Sequence, residues 1–260
     1  MGKVRLEKRD RIAYITLQRS EALNALDDEL NHELYDAWKE FAADNSVDVA
    51  IITGEGKAFC SGADLKTFIP KWEKANIADV RNNARGIGIA GGITRGQHRI
   101  YKPVIAAVNG YAIGGGFELA LACDIRIASE RAKFGVFEVR YGLHQGDGGL
   151  VRLMAIAGMA TALELTLTGR EVDAEEAFRL RLVSKVVPHD ELMETAERYA
   201  AMILANSQQA VRSAKETILN ITGLSIDKAL QMESLKAYSC LGDFSDARER
   251  LEAFAKKEKA

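Results

Sequence analysis

Apolar and polar residues alternate at the start of the chain. The segments KVRLEKRD and RIAYITLQR both show this pattern, and a charged Arg-Asp turn separates them. Such alternation is typical of half-buried strands, so we expect two strands here. Farther along, VDVAIITG, KPVIAAVNG and CDIRIAS are short apolar runs. Their length and their bounding turn residues predict three buried strands.

After about Asp27 the apolar residues recur every three or four positions instead of every two, and acidic residues precede them. One face is formed by Leu30, Leu34, Ala37, Trp38 and Phe41. An acidic first turn complements the helix dipole, so a helix is predicted to begin here. The segment 66–100 is the least regular part, with helical ends expected around a glycine-rich middle.

The second half of the chain becomes helical after about residue 158. ATALELTLTG predicts a helix that ends at Gly169, and DAEEAFRLR predicts one capped by Asp173. LVSKVVP indicates a short strand closed by Pro188, and three or four amphipathic helices follow. Units of strand, loop and helix predict an α/β core of residues 1–190 with a helical region at 191–260.

Composition narrows the possible partners. The 260 residues are 47% hydrophobic and 28% charged, with a formal net charge of −2 and a pI of about 6.2. This balance argues against nucleic acid or an anionic membrane as a partner. The first residues lack a signal-peptide core, and we expect no apolar run of membrane-spanning length. The sequence therefore predicts a cytoplasmic protein.

The cysteines and one glycine motif carry no chemistry. Cys60, Cys123 and Cys240 are widely spaced and form no CxxC, so neither a disulfide nor a zinc site is expected. GIGIAG, at 86–91, matches the dinucleotide pattern GxGxxG. That pattern needs a preceding strand and an acidic residue about twenty positions later, and this chain offers neither. A flexible glycine segment is the better interpretation.

Two glycine loops carry the candidate chemistry. FCSGAD and NGYAIGGGFE each follow an apolar strand and lead into a helix. A helix start has backbone N–H groups without partners, and glycine lets a ligand approach them. Two such loops from neighbouring strands could direct two N–H groups at one oxyanion. The alternative is that both are ordinary strand-to-helix turns.

Two glutamates lie in apolar surroundings near these loops. Glu118 follows the second loop, and Glu138 lies in FGVFEVRYGL. Burial raises a carboxyl pKa toward the range in which the group exchanges a proton near neutral pH. Two such carboxyls beside an oxyanion site would suit proton transfer next to an activated carbonyl. Either one alone could instead be a helix-end or ion-paired residue.

Four blocks together resemble the enoyl-CoA hydratase/isomerase, or crotonase, superfamily. They are KAFCSGADLK, KPVIAAVNGYAIGGGFELALACDIRIAS, AKFGVFEVRYGL and LTGREVDAEEAFRLRLVSKVV. The resemblance runs in order from EALNAL to DARERLEAF. It implies the ClpP/crotonase α/β fold, a spiral of ββα units with a C-terminal helical trimerisation region. It also implies an acyl-CoA thioester substrate, a homotrimer or a hexamer built as a dimer of trimers, and no cofactor beyond the CoA of the substrate.

The resemblance also assigns residues by position. It implies an oxyanion hole at the backbone N–H groups of Ala63 and Gly115, and the paired catalytic glutamates at Glu118 and Glu138. It implies a water-ordering backbone at Gly146. The residues that it places beside CoA are Ala22, Asp64, Leu65, Lys66 and, from a neighbouring subunit, Phe254. No metal site is implied.

The implied reaction is reversible addition of water to a 2-enoyl-CoA, because both glutamates are kept. An isomerase, or a hydrolase of a thioester or C–C bond, on the same fold is the alternative, and a non-catalytic RNA-binding role is a third. GLHQGDGG departs from the family's more apolar pattern. His144, Gln145 and Asp147 indicate a solvated loop, a polar acyl group or an additional acid or base.

Overall fold

The computed structural model describes residues 2–96, 100–239 and 245–257. A six-stranded sheet forms its centre, in the order β1-β2-β3-β5-β7-β10. Its strands are β1 (Val4–Arg9), β2 (Ile12–Leu17), β3 (Val49–Gly54), β5 (Val104–Val108), β7 (Ile125–Ser129) and β10 (Lys185–Val187). β1 and β2 are antiparallel and every other pair is parallel. All six predicted strands are confirmed.

A second sheet of four short strands lies at the carboxyl ends of the first. Its order is β4-β6-β8-β9, and its strands are β4 (Ala58–Cys60), β6 (Tyr111–Ile113), β8 (Lys133–Gly135) and β9 (Glu171–Asp173). The sequence predicted glycine loops at β4 and β6 and no strand at β8 or β9. Three residues are too few to show alternation, and their pairing joins distant parts of the chain.

The predicted helix after Asp27 is α1 (Asp28–Ala43). The Asp27 side chain accepts a hydrogen bond from the N–H of Leu30, which caps the helix. The five predicted apolar residues of α1 are all buried. Leu30, Leu34, Trp38 and Phe41 pack in the main core with three phenylalanines, Phe59, Phe117 and Phe134.

The irregular segment begins with two helices, α2 (Leu65–Glu73) and α3 (Ile77–Arg85). A 3-10 turn at Ala90–Gly92 follows. The expected helix at the far end of this segment is not formed over 93–96, where the backbone makes turns. Residues 97–99 lie outside the described part of the chain. The rejected GIGIAG motif lies after α3 and not after a strand, which agrees with the rejection.

Helix α4 (Gly115–Ala122) is short, and α5 (Gly149–Thr168) begins about ten residues earlier than predicted. Glycines at 146, 148 and 149 hide the start of α5, whereas its end at Gly169 is as predicted. α5 is long and apolar enough to cross a membrane, by length and composition alone. Arg152 and Glu164 interrupt its apolar residues, so no unbroken apolar run within α5 reaches this length. Gly158, with φ 81° and ψ 167°, interrupts the helical backbone within it.

The C-terminal region contains four described helices after α6 (Ala174–Arg179), which Asp173 caps as predicted. They are α7 (Leu192–Leu204), α8 (Gln208–Ile221), α9 (Ile226–Ser239) and α10 (Ser245–Lys257). α7 packs Leu192, Ala196 and Ala200 against the central sheet. The division of the chain near residue 190 stays a prediction. Cys60 and Cys123 are buried free thiols, and Cys240 lies outside the described residues.

Candidate active site

The two glycine loops meet at a cavity of about 250 Å³. β4 and β6 are neighbouring strands of the second sheet, so the loops that follow them lie side by side. The cavity wall combines these loops with the segment after β8. Its lining residues include Ala63, Leu65, Phe68, Ile89, Gly115, Glu118, Glu138, Tyr141, His144, Gln145, Gly146 and Asp147.

Two backbone N–H groups belong to this wall. Ala63 forms a parallel bridge with Leu26, in which the bonds are made by the N–H of Asp64 and the carbonyl of Gly62. The N–H of Ala63 therefore points to the opposite side of the strand. Gly115 is the first residue of α4, so its N–H has no acceptor within the helix. This pair can bind one anionic oxygen.

Close backbone packing brings the two loops together. A Cβ atom at Gly62, where φ is +93°, would lie 2.8 Å from the carbonyl oxygen of Ile113 and 3.0 Å from the nitrogen of Gly115. A Cβ atom at Gly116 would lie 1.9 Å from the carbonyl oxygen of Cys60. Side chains at these positions would force the loops apart, so the glycines set the spacing of the two N–H groups.

Glu118 lies in the first turn of α4 and is 2% exposed. Its Oε1 atom accepts hydrogen bonds from the backbone N–H groups of Asp147, at 2.9 Å, and Gly149, at 3.0 Å. These donors come from the loop before α5, which holds the carboxyl group at the cavity wall. The second oxygen, Oε2, accepts neither bond.

Burial, with a smaller contribution from the nearby carboxylate of Asp147, raises the pKa of Glu118 to about 7. The N–H donors of Asp147 and Gly149 oppose the shift, and Glu138 adds a smaller upward effect. A carboxyl group with a pKa near 7 exchanges its proton readily at neutral pH. This agrees with the expectation drawn from the apolar surroundings of Glu118.

Glu138 begins a 3-10 turn, Glu138–Tyr141, on the same wall. Burial raises the pKa of Glu138, while its own backbone N–H and the Gln145 amide lower it. Its Oε2 atom is buried without a hydrogen-bond partner, and so is Oε1 of Gln145, a residue 3% exposed. Gln145 lies beside both glutamates, a position that the sequence did not reveal.

The remaining predicted residues divide into two groups. Gly146 and Leu65 line the cavity with the two glutamates and the two N–H groups. Four others do not belong to its wall: Ala22, Asp64, Lys66 and Phe254. Asp64 caps α2 and pairs with Arg19 at 2.7 Å. Phe254 is 60% exposed on α10. The roles of all these residues stay predictions.

Besides the buried Gln145, the segment GLHQGDGG places two polar side chains, His144 and Asp147, in different environments. His144 is exposed at the cavity, and its Nδ1 donates to the carbonyl of Gln145 at 2.8 Å, which leaves Nε2 as an acceptor in the neutral ring. Asp147 is instead ion-paired with Arg95, with 2.6 Å between Oδ1 and Nε. No motif signalled Arg95, because its partner is distant in the sequence.

The sequence of this chain is similar to known enoyl-CoA hydratases along nearly its whole length. The family model described as enoyl-CoA hydratase/isomerase matches residues 7–260. A short-chain-enoyl-CoA hydratase of Clostridium acetobutylicum is 40% identical over 261 residues, covering 100% of this chain and 97% of the relative. A crotonyl-CoA hydratase of Syntrophomonas wolfei is 38% identical over 257 residues, covering 98% of this chain and 95% of that protein.

The fold is similar to solved structures over nearly its whole length. The crystal structure of an enoyl-CoA hydratase from Bacillus anthracis has a TM-score of 0.87 and is 36% identical. The match covers 98% of this chain and 97% of that one. The predicted crotonase-like fold is thereby confirmed. On sequence and structure alike, this chain belongs to the enoyl-CoA hydratase/isomerase family.

Proposed function

We propose that this protein is an enoyl-CoA hydratase, a lyase that adds water reversibly across the double bond of a 2-enoyl-CoA. One observation carries the proposal. The buried Glu118 and the half-buried Glu138 line the same cavity as the N–H groups of Ala63 and Gly115. Hydration of an enoyl thioester needs both functions at once, a site for the enolate oxygen and two groups that move protons.

The N–H groups of Ala63 and Gly115 bind the thioester carbonyl oxygen in this proposal. Their hydrogen bonds withdraw electrons from the conjugated double bond, which makes the β-carbon electrophilic. When water adds, the negative charge of the enolate develops on the same oxygen. Donors fixed by the backbone stabilise that charge without rearranging.

Glu118 acts as the base on the attacking water, and Glu138 delivers a proton to the α-carbon. The water oxygen bonds to the β-carbon as its proton passes to Glu118. The C–C double bond becomes the enolate, which collapses as the α-carbon takes the proton of Glu138. Two glutamates of raised pKa support such an exchange of protons.

The purified chain is expected to hydrate crotonyl-CoA. The reaction is measured as a loss of the ultraviolet absorbance of the enoyl thioester. Parallel assays of 3-enoyl-CoA isomerisation and free-thiol release test the alternatives, an isomerase and a hydrolase. Turnover in either of those assays without hydration would overturn the proposal. RNA binding that weakens with salt, without acyl-CoA turnover, would favour the non-catalytic role.

We further propose a homotrimer or a hexamer. The support is a set of large apolar side chains exposed on α5: Val151, Met154, Met159, Leu163 and Leu167. A large exposed apolar surface marks an interaction site in a water-soluble protein. Light scattering of the purified protein is expected to give three or six times the monomer mass of 28.5 kDa. A monomer at micromolar concentration contradicts this proposal.

The CoA moiety is proposed to lie beside Ala22, Asp64, Leu65 and Lys66, with Phe254 from a neighbouring subunit. Leu65 supports this position because it is exposed at the cavity. A cytoplasmic location, and a reaction that uses no cofactor other than the CoA of its substrate, belong to the same proposal.

A further inference from the structure

Asp147 connects two walls of the active-site cavity. Its Oδ1 atom lies 2.6 Å from Nε of Arg95 and accepts the backbone N–H of Ile89 at 3.1 Å. The Asp147 and Arg95 side chains are mostly buried, with 13% and 19% exposed. The carboxylate therefore faces the protein segment 88–95. Its environment makes it an unsuitable third acid or base for the substrate.

The backbone of the same residue holds the proposed base. The N–H of Asp147 donates to Oε1 of Glu118, and the N–H of Gly149 donates to the same atom. One residue thus contacts Glu118 through its main chain and the segment 88–95 through its side chain. A shift of either wall changes the position of the other.

Arg95 completes this connection. It donates to the carbonyl of Gly146, at 3.2 Å, and to the carbonyl of Asn83 at the end of α3. A Cβ atom at Gly88, where φ is +70°, would lie 2.1 Å from Oδ1 of Asp147. The observed position of the Asp147 carboxylate beside Arg95 thus requires a glycine at 88. The adjacent Ile89 side chain reaches the glycine loop before α4, where a Cβ atom at Gly115 would lie 2.4 Å from Cδ1 of Ile89.

The charges around Glu118 come from each element packed against it. Asp147 lies on the loop before α5 and Glu138 on the 3-10 turn across the cavity, and both disfavour its ionised form. Arg152, on α5, donates to the carbonyls of Gly148 and Thr94. Arg95 neutralises Asp147 from the far side. His144 faces Glu138.

We propose that the Arg95–Asp147 ion pair is a positioning pair for Glu118. It holds the loop that carries the N–H groups of Asp147 and Gly149 against the segment 88–95, and it sets the charge next to Glu118. The inference rests on the proposed function for its role in catalysis. Both residues act through Glu118 and not by contact with the reacting atoms.

The test compares Asp147→Asn with Arg95→Met in the pH profile of kcat/KM for crotonyl-CoA, which reports the free enzyme. A base must be ionised, so activity falls as the pH falls below its pKa. With a pKa of about 7, wild-type protein keeps about a tenth of its plateau at pH 6. Asp147→Asn removes a negative charge near Glu118. At pH 6 it is therefore expected to keep a fraction of its plateau activity about threefold larger than that of wild type.

Arg95→Met is expected to move the fall in activity at acidic pH to higher pH. The variant leaves the carboxylate of Asp147 without its positive partner beside Glu118. Arg95→Lys, which keeps the charge, is expected to restore much of the wild-type profile. Asp36→Asn is the matched control, since Asp36 is exposed on α1. It removes the same charge far from the site and leaves the profile unchanged.

Titration of the Glu118 carboxyl carbon by NMR, assigned with Glu118→Gln, gives the same order of midpoints without any activity. Asp147→Asn should titrate below wild type, and Arg95→Met above it. Equal midpoints in all three proteins overturn the positioning pair, as does an equal loss of activity at every pH. If the three proteins show this order of midpoints but the wild-type protein hydrates no enoyl-CoA, the result contradicts the proposed function and leaves the positioning pair intact.

Discussion

Glu118→Gln is expected to lower kcat for crotonyl-CoA hydration by about 10²–10⁴-fold, the usual contribution of a positioned general base. The amide keeps the shape of the side chain and can still accept the N–H groups of Asp147 and Gly149. It cannot take a proton from water. Steady-state kinetics at the pH of maximal activity measure the effect, and KM should change much less than kcat.

Glu138→Gln should reduce kcat on the same scale, because the enolate then lacks its proton donor. The double variant is expected to lose less than the product of the two single effects, since both residues serve one reaction step. Glu130→Gln is the control for loss of a glutamate charge, as Glu130 is exposed in a turn after β7. Near-normal turnover in both single variants would show that the mechanism is wrong.

The stability of the Glu118→Gln variant separates a loss of catalysis from a loss of folding. Burial disfavours the ionised form of Glu118, so its pKa is raised in the folded protein. A group of this kind stabilises the fold when protonated, and the stabilisation is lost as the pH rises through about 7. A neutral glutamine should therefore leave the Tm at pH 8 unchanged or higher.

The main sheet and the first helix were predictable because their signals are local. Alternation marks β1 and β2, and the spacing of Leu30, Leu34 and Phe41 marks α1. The four strands of the second sheet lack such signals, since each is three residues long and pairs with distant segments. A strand of that length is defined by its partners, which the local sequence does not contain.

The candidate site shows the same division. Glu118 and Glu138 were identified because apolar neighbours surround each of them in the sequence. The contact between Arg95 and Asp147 joins segments that no motif relates, so the sequence left Asp147 as part of a solvated loop, a contact for a polar acyl group or an additional acid or base. The long α5 was also obscured at its start, because glycines at 148 and 149 are typical of a loop.

Gly62→Ala is expected to lower kcat by about 10²–10³-fold, the effect of losing one oxyanion donor. The new Cβ atom would lie 2.8 Å from the Ile113 carbonyl oxygen and 3.0 Å from the Gly115 nitrogen. Both contacts are with backbone, which relaxes only by moving a loop. The N–H groups of Ala63 and Gly115 would then no longer point at one oxygen.

Backbone strain alone must be separated from this effect, and Gly223→Ala provides the control. Gly223 has φ +84° between α8 and α9, and nothing lies within 4 Å of its Cβ position. A left-handed alanine costs about 1–2 kcal/mol of stability at either position. Both variants should therefore lose Tm, whereas Gly62→Ala alone should lose turnover.

Gly115→Ala extends the test to a glycine without a positive φ. Its Cβ atom would lie 3.5 Å from the nitrogen of Ala63, in the space where the carbonyl oxygen is proposed to bind, and 2.4 Å from Cδ1 of Ile89. The end of the Ile89 side chain can move, so this variant should fold. A loss of kcat in Gly62→Ala and Gly115→Ala, but not in Gly223→Ala, would assign the effect to the N–H pair. Turnover in Gly62→Ala no lower than in Gly223→Ala would mean that the two N–H groups do not bind the developing oxyanion.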